Sequence, residues 1–465
     1  MQDLTGMEDF AGVDSRVFEE LLEVAGKDRL VTDPEILASY LVDWTRRWKG
    51  FSSLMLRPQS TLEVSEYLKV LSHYQLPVQI QGGNTGMSGG SVPMGGEVLL
   101  SLENLSGIEE LDQKEGRILV NSGTTLSEVQ RAAEKSGWRY PVDFGSRDSA
   151  TIGGTVATNA GGVHVMRSGM TRSQVLGVES VLADGQIVSS LKGLIKDNTG
   201  YDLPALFSGS EGTLGVITRV LLRLSPQHEE EVVALVGFEK LSYAMEVSRI
   251  LKSNSEVQAI ELMFKNCLDV VVEYLGNTMP IVENWPVVLL IEAAGREGVV
   301  HRFGKIFDEL KNIGDVAVAV DESGKKSFWR YRDAHSEAIG RRGIPQKLDV
   351  SLPLNKVVLF IEEVQFLLGD FEDCEGWIFG HAGDGNLHVN LTGIDPEDTH
   401  FTNRILNLVV DLGGSISAEH GVGRSKGDWL ELCRGVGEVD VFRSLKNALD
   451  PKNILNPGVL FPKLD

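Results

Sequence analysis

The chain has 465 residues, 42% hydrophobic and 24% charged, with a formal net charge of −22. That length exceeds what one ordinary hydrophobic core serves, so two or three domains are expected. The acidity opposes binding to nucleic-acid phosphates, and no apolar run reaches the roughly 18–20 residues of a spanning helix.

The N-terminal stretch MQDLTGMEDFAGVDSR has neither a secretory nor a transit-peptide pattern. The expectation is a cytosolic protein, or a mitochondrial-matrix one if a presequence was removed. Cys267, Cys374 and Cys433 are scattered, which fits neither a disulfide framework nor a clustered iron–sulfur centre. Any electrons taken from a substrate must therefore leave through an external carrier.

In chain order, VFEELLEVAG near residue 17 reads as an amphipathic helix. LMLRP reads as a strand, TLEVSEYLKVLSHYQ as a helix opened by Thr61, PVQIQG as a strand and EVLLSL as another. Residues 141–225 are rich in Gly, Thr and Ser and promise little helix. VLGVESVLADGQIV reads as a hairpin turning at Asp184-Gly185. From about 232 strands and longer helices alternate: VVALVGF, LSYAMEVSRILKS, VVLLIEAAG and VVHRFGKIFDELKNIG. A helical stretch VDVFRSLKNALDP follows, ending in NILNPGVLF. This pattern gives an N-terminal helical segment (1–50), a first α+β domain (51–227), a second (228–420) and a C-terminal segment (421–465).

Three separated stretches are dense in glycine and hydroxyl residues: QGGNTGMSGGS at 81–91, IGGTVATNAGG at 152–162 and DNTGYDLPALFSGSEGTLGVIT at 197–218. Glycine lets backbone N–H groups approach an anion closely. None of the three is a Rossmann or Walker motif. Together they suit one long phosphate-containing ligand, FAD better than a mononucleotide.

With GHAGDGNLH, SAEHGVG and LDPKNILNPG in order behind them, these stretches resemble the FAD-linked dehydrogenases of the vanillyl-alcohol-oxidase type, in the branch acting on D-2-hydroxy acids. The resemblance covers about residues 40–460. It implies an α+β fold: a two-part FAD-binding domain, an α+β cap over the substrate and a small helical C-terminal segment packing back on the flavin domain. It also places Gln81, Gly82, Gly83, Asn84, Thr85, Gly89, Gly90 and Ser91 around the FAD pyrophosphate. Pro141, Gly145, Ser149, Gly153, Gly154, Thr158, Asn159 and Gly161 would line the flavin side with Glu211, Gly212 and Ile217, and Asn456 would close over the isoalloxazine. The first loop lacks His and Cys, so the FAD is expected to be non-covalent. His164 departs from the family's usual wording and receives no covalent role.

WIFGH and NLHVNL flank AGDG, whose residues suit a hairpin turn that would bring His381 and His388 to opposing positions. A divalent ion such as Zn²⁺ wants a third ligand, and SAEHG supplies Glu419 beside His420. By the resemblance, His381, His388 and Glu419 ligate the metal and His420 is the base that takes the hydroxyl proton while hydride leaves C2 for the flavin. Asn390, two residues after His388, shares its strand face and is a candidate substrate contact.

Upstream, FWRYRDAHSEAIGRRGIPQKLDVSLP carries Arg332, Ser336 and Lys347. Their spacing resembles the D-2-hydroxyglutarate dehydrogenases, where Arg, Thr and Lys grip the distal carboxylate; Ser here keeps the hydroxyl. The expected substrate is a small D-2-hydroxy acid, first D-2-hydroxyglutarate, with D-malate, D-lactate and glycolate as same-fold alternatives. A non-catalytic flavin-binding subunit is the alternative of another class. The resemblance points to an electron-transfer flavoprotein or a quinone-linked carrier as acceptor, and leaves a homodimer open.

Overall fold

The computed structural model describes residues 14–282, 284–369, 374–395 and 398–462. Its first part holds two larger sheets and a two-stranded pair, Trp138–Arg139 with Ser225–Pro226. A four-stranded sheet orders Leu30–Val31, Met55–Leu56, Val98–Ser101 and Val78–Gln81, with the last three parallel. A five-stranded antiparallel sheet follows: Ile108–Asp112, Arg117–Asn121, Val216–Arg223, Val175–Val181 and Ile187–Ser190.

The helix Thr61–His73 lies over the parallel strands because its buried stripe, Val64, Tyr67, Leu68 and Leu71, recurs every three or four residues. Its N-cap is Ser60 rather than Thr61, since the Ser60 hydroxyl accepts from Glu63 N–H. Val17 and Leu21 of the helix Ser15–Ala25 join the same core, as do Ile454 and Leu455 from the far end of the chain. The Asp184-Gly185 turn forms as read, with Gly185 at φ +86° and strands on both sides.

The glycine-rich stretch at 152–162 is not all loop. Ile152–Thr158 is a helix, capped by Thr151 and ended by Asn159 in the left-handed conformation. Two glycines open a helix here because packing overrides propensity: a Cβ on Gly153 would stand 2.5 Å from Ser122 Cβ.

The second part is one antiparallel sheet of seven strands: Val316–Ala319, Glu230–Phe238, Val287–Gly295, Val257–Phe264, Glu375–His381, Asn386–Thr392 and Gln346–Ser351. Side chains alternate faces along each strand. Ile260, Leu262, Ile378, Leu387, Val389, Leu348 and Val350 form the outer core under the helices Leu241–Lys252, Val299–Glu309, Val357–Leu368 and His400–Asp411. Fully buried side chains of this size each contribute roughly 1.5–3 kcal/mol of transfer free energy.

The inner face is mixed. Met263, Trp377 and Phe379 pack under the helices Lys265–Leu275, Glu322–Asp333 and His335–Gly340. Beside them the same face carries Glu261, His381, His388, Asn390, Asp349 and Lys347, turned toward the first part. Among the described residues no helix is long and apolar enough to cross a membrane, and the three cysteines are free thiols.

Candidate active site

The hairpin expected around AGDG forms between Glu375–His381 and Asn386–Thr392. The register corrects one detail. His388 faces Phe379 and His381 faces Asn386, so the histidines are diagonal neighbours on one face, not directly opposite. Their ring centroids lie 5.4 Å apart. The diagonal suits a shared ion because both Nε2 atoms can aim at a point between the strands.

That point is occupied by Glu419. Its Oε1 lies 3.8 Å from His381 Nε2, 3.7 Å from His388 Nε2 and 3.7 Å from His420 Nε2. Its other oxygen accepts from Gly162 N–H at 2.9 Å, tying the loop that carries the acid to the first part of the chain. A Cβ on Gly161 would come within 2.4 Å of the same carboxylate. Burial would raise the Glu419 pKa, but His381 and His388 hold it at about 2.

Asp349 organises the loop from behind. Its Oδ2 accepts the backbone N–H groups of Ala418, Glu419 and His420 at 3.2, 2.8 and 2.9 Å, and Oδ1 accepts from Asn386 Nδ2 at 2.8 Å. Burial opposes its ionisation, yet His420, Lys426, His388 and these donors hold its carboxyl far below the usual range. Glu211 braces the next turn, accepting from Val422 and Gly423 N–H at 2.8 Å each.

These groups fit a divalent metal. His381 donates from Nδ1 to Glu261 Oε1 at 2.7 Å, leaving Nε2 buried and without a hydrogen-bond partner among the described residues. A histidine held by a carboxylate on one nitrogen and bare on the other is the usual ligand arrangement. His388 is kept neutral, its pKa pushed down to about 3 by burial, and neutral imidazole is the ligating form. Asp349, His388, Glu419 and His420 offer ligand atoms within 4.8 Å of one another. His420 is the most open of the three histidines, at 24% against 6% and 10% for His381 and His388.

A cavity of about 640 Å³ runs from this cluster to the glycine loops. It is lined by Gly82, Gly83, Asn84, Thr85, Gly90 and Ser91, then by Gly145, Gly153, Gly154, Thr158 and Gly161, and by Glu211, Gly212, Ile217 and Asn456. Among the described residues nothing accepts from the backbone N–H groups of Gly82–Gly86, which suits a pyrophosphate. The glycines are sterically required: a Cβ on Gly83 would sit 1.8 Å from the Ser149 carbonyl oxygen.

Five residues expected to line the cofactor do not line the cavity; they hold its walls. Gln81 donates to the Tyr40 and Ser91 carbonyls. Gly89, at φ +68°, lets Trp48 pack against it. The Pro141 carbonyl meets His164 Nδ1 at 3.2 Å, the Ser149 carbonyl abuts Gly83, and Asn159 ends a helix while accepting from Arg172 N–H. Asn456 lines the cavity but commits its amide elsewhere. It accepts from Ile80 N–H at 2.7 Å and donates to the Glu211 carbonyl at 2.7 Å, clamping three segments together. His164 bridges the two parts of the chain through Nε2, 2.8 Å from Glu292 Oε1.

At the cluster's end of the cavity stand Arg332, Ser336, Lys347 and Asn390. Ala334 separates two short helices, yet Arg332 and Ser336 still reach the same space. Arg332 lies over the Phe379 ring at 4.8 Å and gives Nε to Glu261 at 2.6 Å; among the described residues no acceptor takes its terminal nitrogens. Lys347 stands across the strand pair from Asn390. Its ammonium meets the Trp44 ring at 4.8 Å, pairs with no carboxylate among the described residues, and is lowered by burial to about 8. Asn390 Nδ2 is buried without a partner among them. In a chain of net charge −22 this is the local positive focus an anionic substrate requires.

Sequence reading missed Glu261, Asp349 and Glu292. Asp349 lies on the polar phase of QKLDVS, whereas Glu261 and Glu292 are acids inside largely apolar strands, VQAIELMF and VVLLIEAAG. A lone carboxylate in such a run must be paired when buried, and that was the available signal.

Comparison with known proteins agrees with this architecture. Residues 52–190 match the family model described as FAD binding domain, and 227–460 the one described as FAD linked oxidases, C-terminal domain. The chain is 37% identical over 454 residues to the mitochondrial D-2-hydroxyglutarate dehydrogenase of Bos taurus, covering 95% of this chain and 82% of that one. It is 34% identical to the D-2-hydroxyglutarate dehydrogenase of Xanthomonas citri pv. viticola, covering 94% and 95%. Substrate-bound p-cresol methylhydroxylase superposes with a TM-score of 0.78 at 16% identity over 97% of this chain and 98% of that one. Alkyldihydroxyacetonephosphate synthase gives 0.75 at 19% over 96% and 85%. The fold is thus the α+β fold of these flavoproteins, and the chain belongs to the FAD-linked oxidases as an FAD-dependent dehydrogenase in the branch whose curated relatives are D-2-hydroxyglutarate dehydrogenases.

Proposed function

We propose that this enzyme oxidises D-2-hydroxyglutarate to 2-oxoglutarate with non-covalent FAD and a divalent metal, zinc fitting the donor set best. The supporting observation is the convergence of three histidine Nε2 atoms on Glu419 Oε1, at one end of the cavity that reaches the glycine loops. When bound, FAD supplies the hydride acceptor and the ion a Lewis acid that lowers the hydroxyl pKa.

The protein's own groups do the rest. His381, His388 and Glu419 would hold the ion, and Asp349 and Glu211 fix the loop that presents Glu419 and His420. His420, the most accessible histidine, takes the hydroxyl proton. Asn390 holds the carboxylate next to the reacting carbon. Lys347, Ser336 and Arg332 receive the distal carboxylate, Arg332 through a forked pair of donors. The unpaired Lys347 favours a dicarboxylate over D-lactate or glycolate, which would leave it half-buried and without a carboxylate partner. Electrons then pass to an external flavoprotein or quinone-linked carrier.

In this reading residues 51–227 with 421–465 form the flavin unit and 228–420 the cap. Turnover of D-2-hydroxyglutarate, D-malate, D-lactate and glycolate with an artificial acceptor tests it. A kcat/KM highest for D-2-hydroxyglutarate supports the assignment, and equal or better use of D-lactate removes the distal clamp from the account.

A further inference from the structure

Glu261 lies at the middle of the inner face with no exposed surface. Its two oxygens are divided between two different functional groups. Oε1 accepts from His381 Nδ1 at 2.7 Å, and Oε2 accepts from Arg332 Nε at 2.6 Å. His381 is its direct cross-strand neighbour, whereas Arg332 reaches it from the helix Glu322–Asp333 across the Phe379 ring. A buried charge held by two donors is rigid, because releasing either one leaves an uncompensated group in a medium of low dielectric.

We propose that Glu261 is a positioning residue that couples the metal ligand His381 to the carboxylate-binding Arg332, so that metal retention and preference for a dicarboxylate depend on one carboxylate. Through His381 it fixes the tautomer that leaves Nε2 bare. Through Arg332 it fixes the guanidinium plane, with the terminal nitrogens free for the cavity. The inference rests on the functional reading above and extends it to a residue that touches neither substrate nor ion.

The test compares wild type, Glu261→Gln, Glu261→Asp and Arg332→Met as FAD-loaded enzymes, with FAD content and Tm confirming the fold. Two quantities are read: divalent metal per chain after dialysis, and the ratio of kcat/KM for D-2-hydroxyglutarate to that for D-lactate. Glu261→Gln is expected to weaken metal retention about tenfold and to lower the ratio about tenfold. Glu261→Asp, which keeps the charge but shortens the reach, is expected to fall between in both. Arg332→Met should lower the ratio and keep the metal. If Glu261→Gln moves only one quantity, or neither, the coupling is wrong. Should Glu261→Gln fail to fold, Glu261→Asp decides alone by the same criterion. A wild type that holds no divalent metal, or prefers D-lactate, overturns the functional reading itself, an outcome separate from a split among the variants.

Discussion

Glu419 and His381 come from segments 38 residues apart, yet Glu419 Oε1 stands 3.8 Å from a His381 Nε2 that has no other partner among the described residues. The carboxylate reaches that position because Gly162 N–H holds its second oxygen and Asp349 holds its backbone. Two parts of the fold therefore meet at the proposed metal site.

Removing that carboxylate should abolish metal binding while sparing FAD. Glu419→Ala is expected to lose its divalent ion on dialysis and to lower kcat by more than about a hundredfold, since loss of even an outer partner costs 10–100-fold. Elemental analysis beside flavin absorbance checks it. Full metal content in the variant would take Glu419 out of the ligand set.

His420 should behave differently from the ligands. His420→Ala is expected to retain metal and FAD, and to lower kcat by about 10²–10⁴-fold, the usual range for loss of a general base. Metal loss matching that of His388→Ala would make His420 a ligand instead.

Lys347 should impose an alkaline limit on dicarboxylate use. Burial lowers its pKa to about 8, so the ammonium is present below that pH and lost above it. The KM for D-2-hydroxyglutarate should rise as pH passes about 8, while the KM for D-lactate does not follow. In Lys347→Met this limb should vanish. An identical pH profile for both acids would show that Lys347 does not meet the distal carboxylate.

The His164–Glu292 contact should stabilise the seating of the cap on the flavin unit. Burial alone would lower the His164 pKa, but Glu292 outweighs it and raises the net value. A raised histidine contributes stability that is complete below its unfolded pKa and fades as pH rises through the folded value. Partial burial would raise the Glu292 pKa, yet His164 and Trp329 hold it low, so its contribution fades as pH falls through that lowered value. His164→Phe leaves Glu292 with Trp329 as its remaining close donor and should cost about 3 kcal/mol in chemical denaturation near neutral pH. The difference from wild type should shrink at high pH.

Much of this site was legible because its chemistry resides in short segments. The glycine stretches were read as backbone able to approach an anionic ligand; in the structure Gly83 is also required by the Ser149 carbonyl and Gly161 by the Glu419 carboxylate. GHAGDG read as a turn, and it is one; the diagonal register depended on where the ladder closes, which composition does not encode. The helix at Ile152–Thr158 was hidden by its two glycines, whose packing against Ser122 is a tertiary fact. Glu261 and Glu292 were hidden differently, since each sits where period-two reading assigns apolar core, while Asp349 falls on the polar phase of QKLDVS and reads there as a solvated acid. Ser149 and Asn159 sit beside cavity-lining residues in sequence and brace them in space.

Anaerobic mixing of the FAD-loaded enzyme with D-2-hydroxyglutarate, followed at the flavin absorbance, shows whether substrate, flavin and metal act together. The proposed function requires rapid bleaching with metal-replete protein, its loss after chelation and its return when the divalent ion is restored. Equal bleaching before and after complete metal removal, or bleaching by D-lactate but not by D-2-hydroxyglutarate, would contradict it.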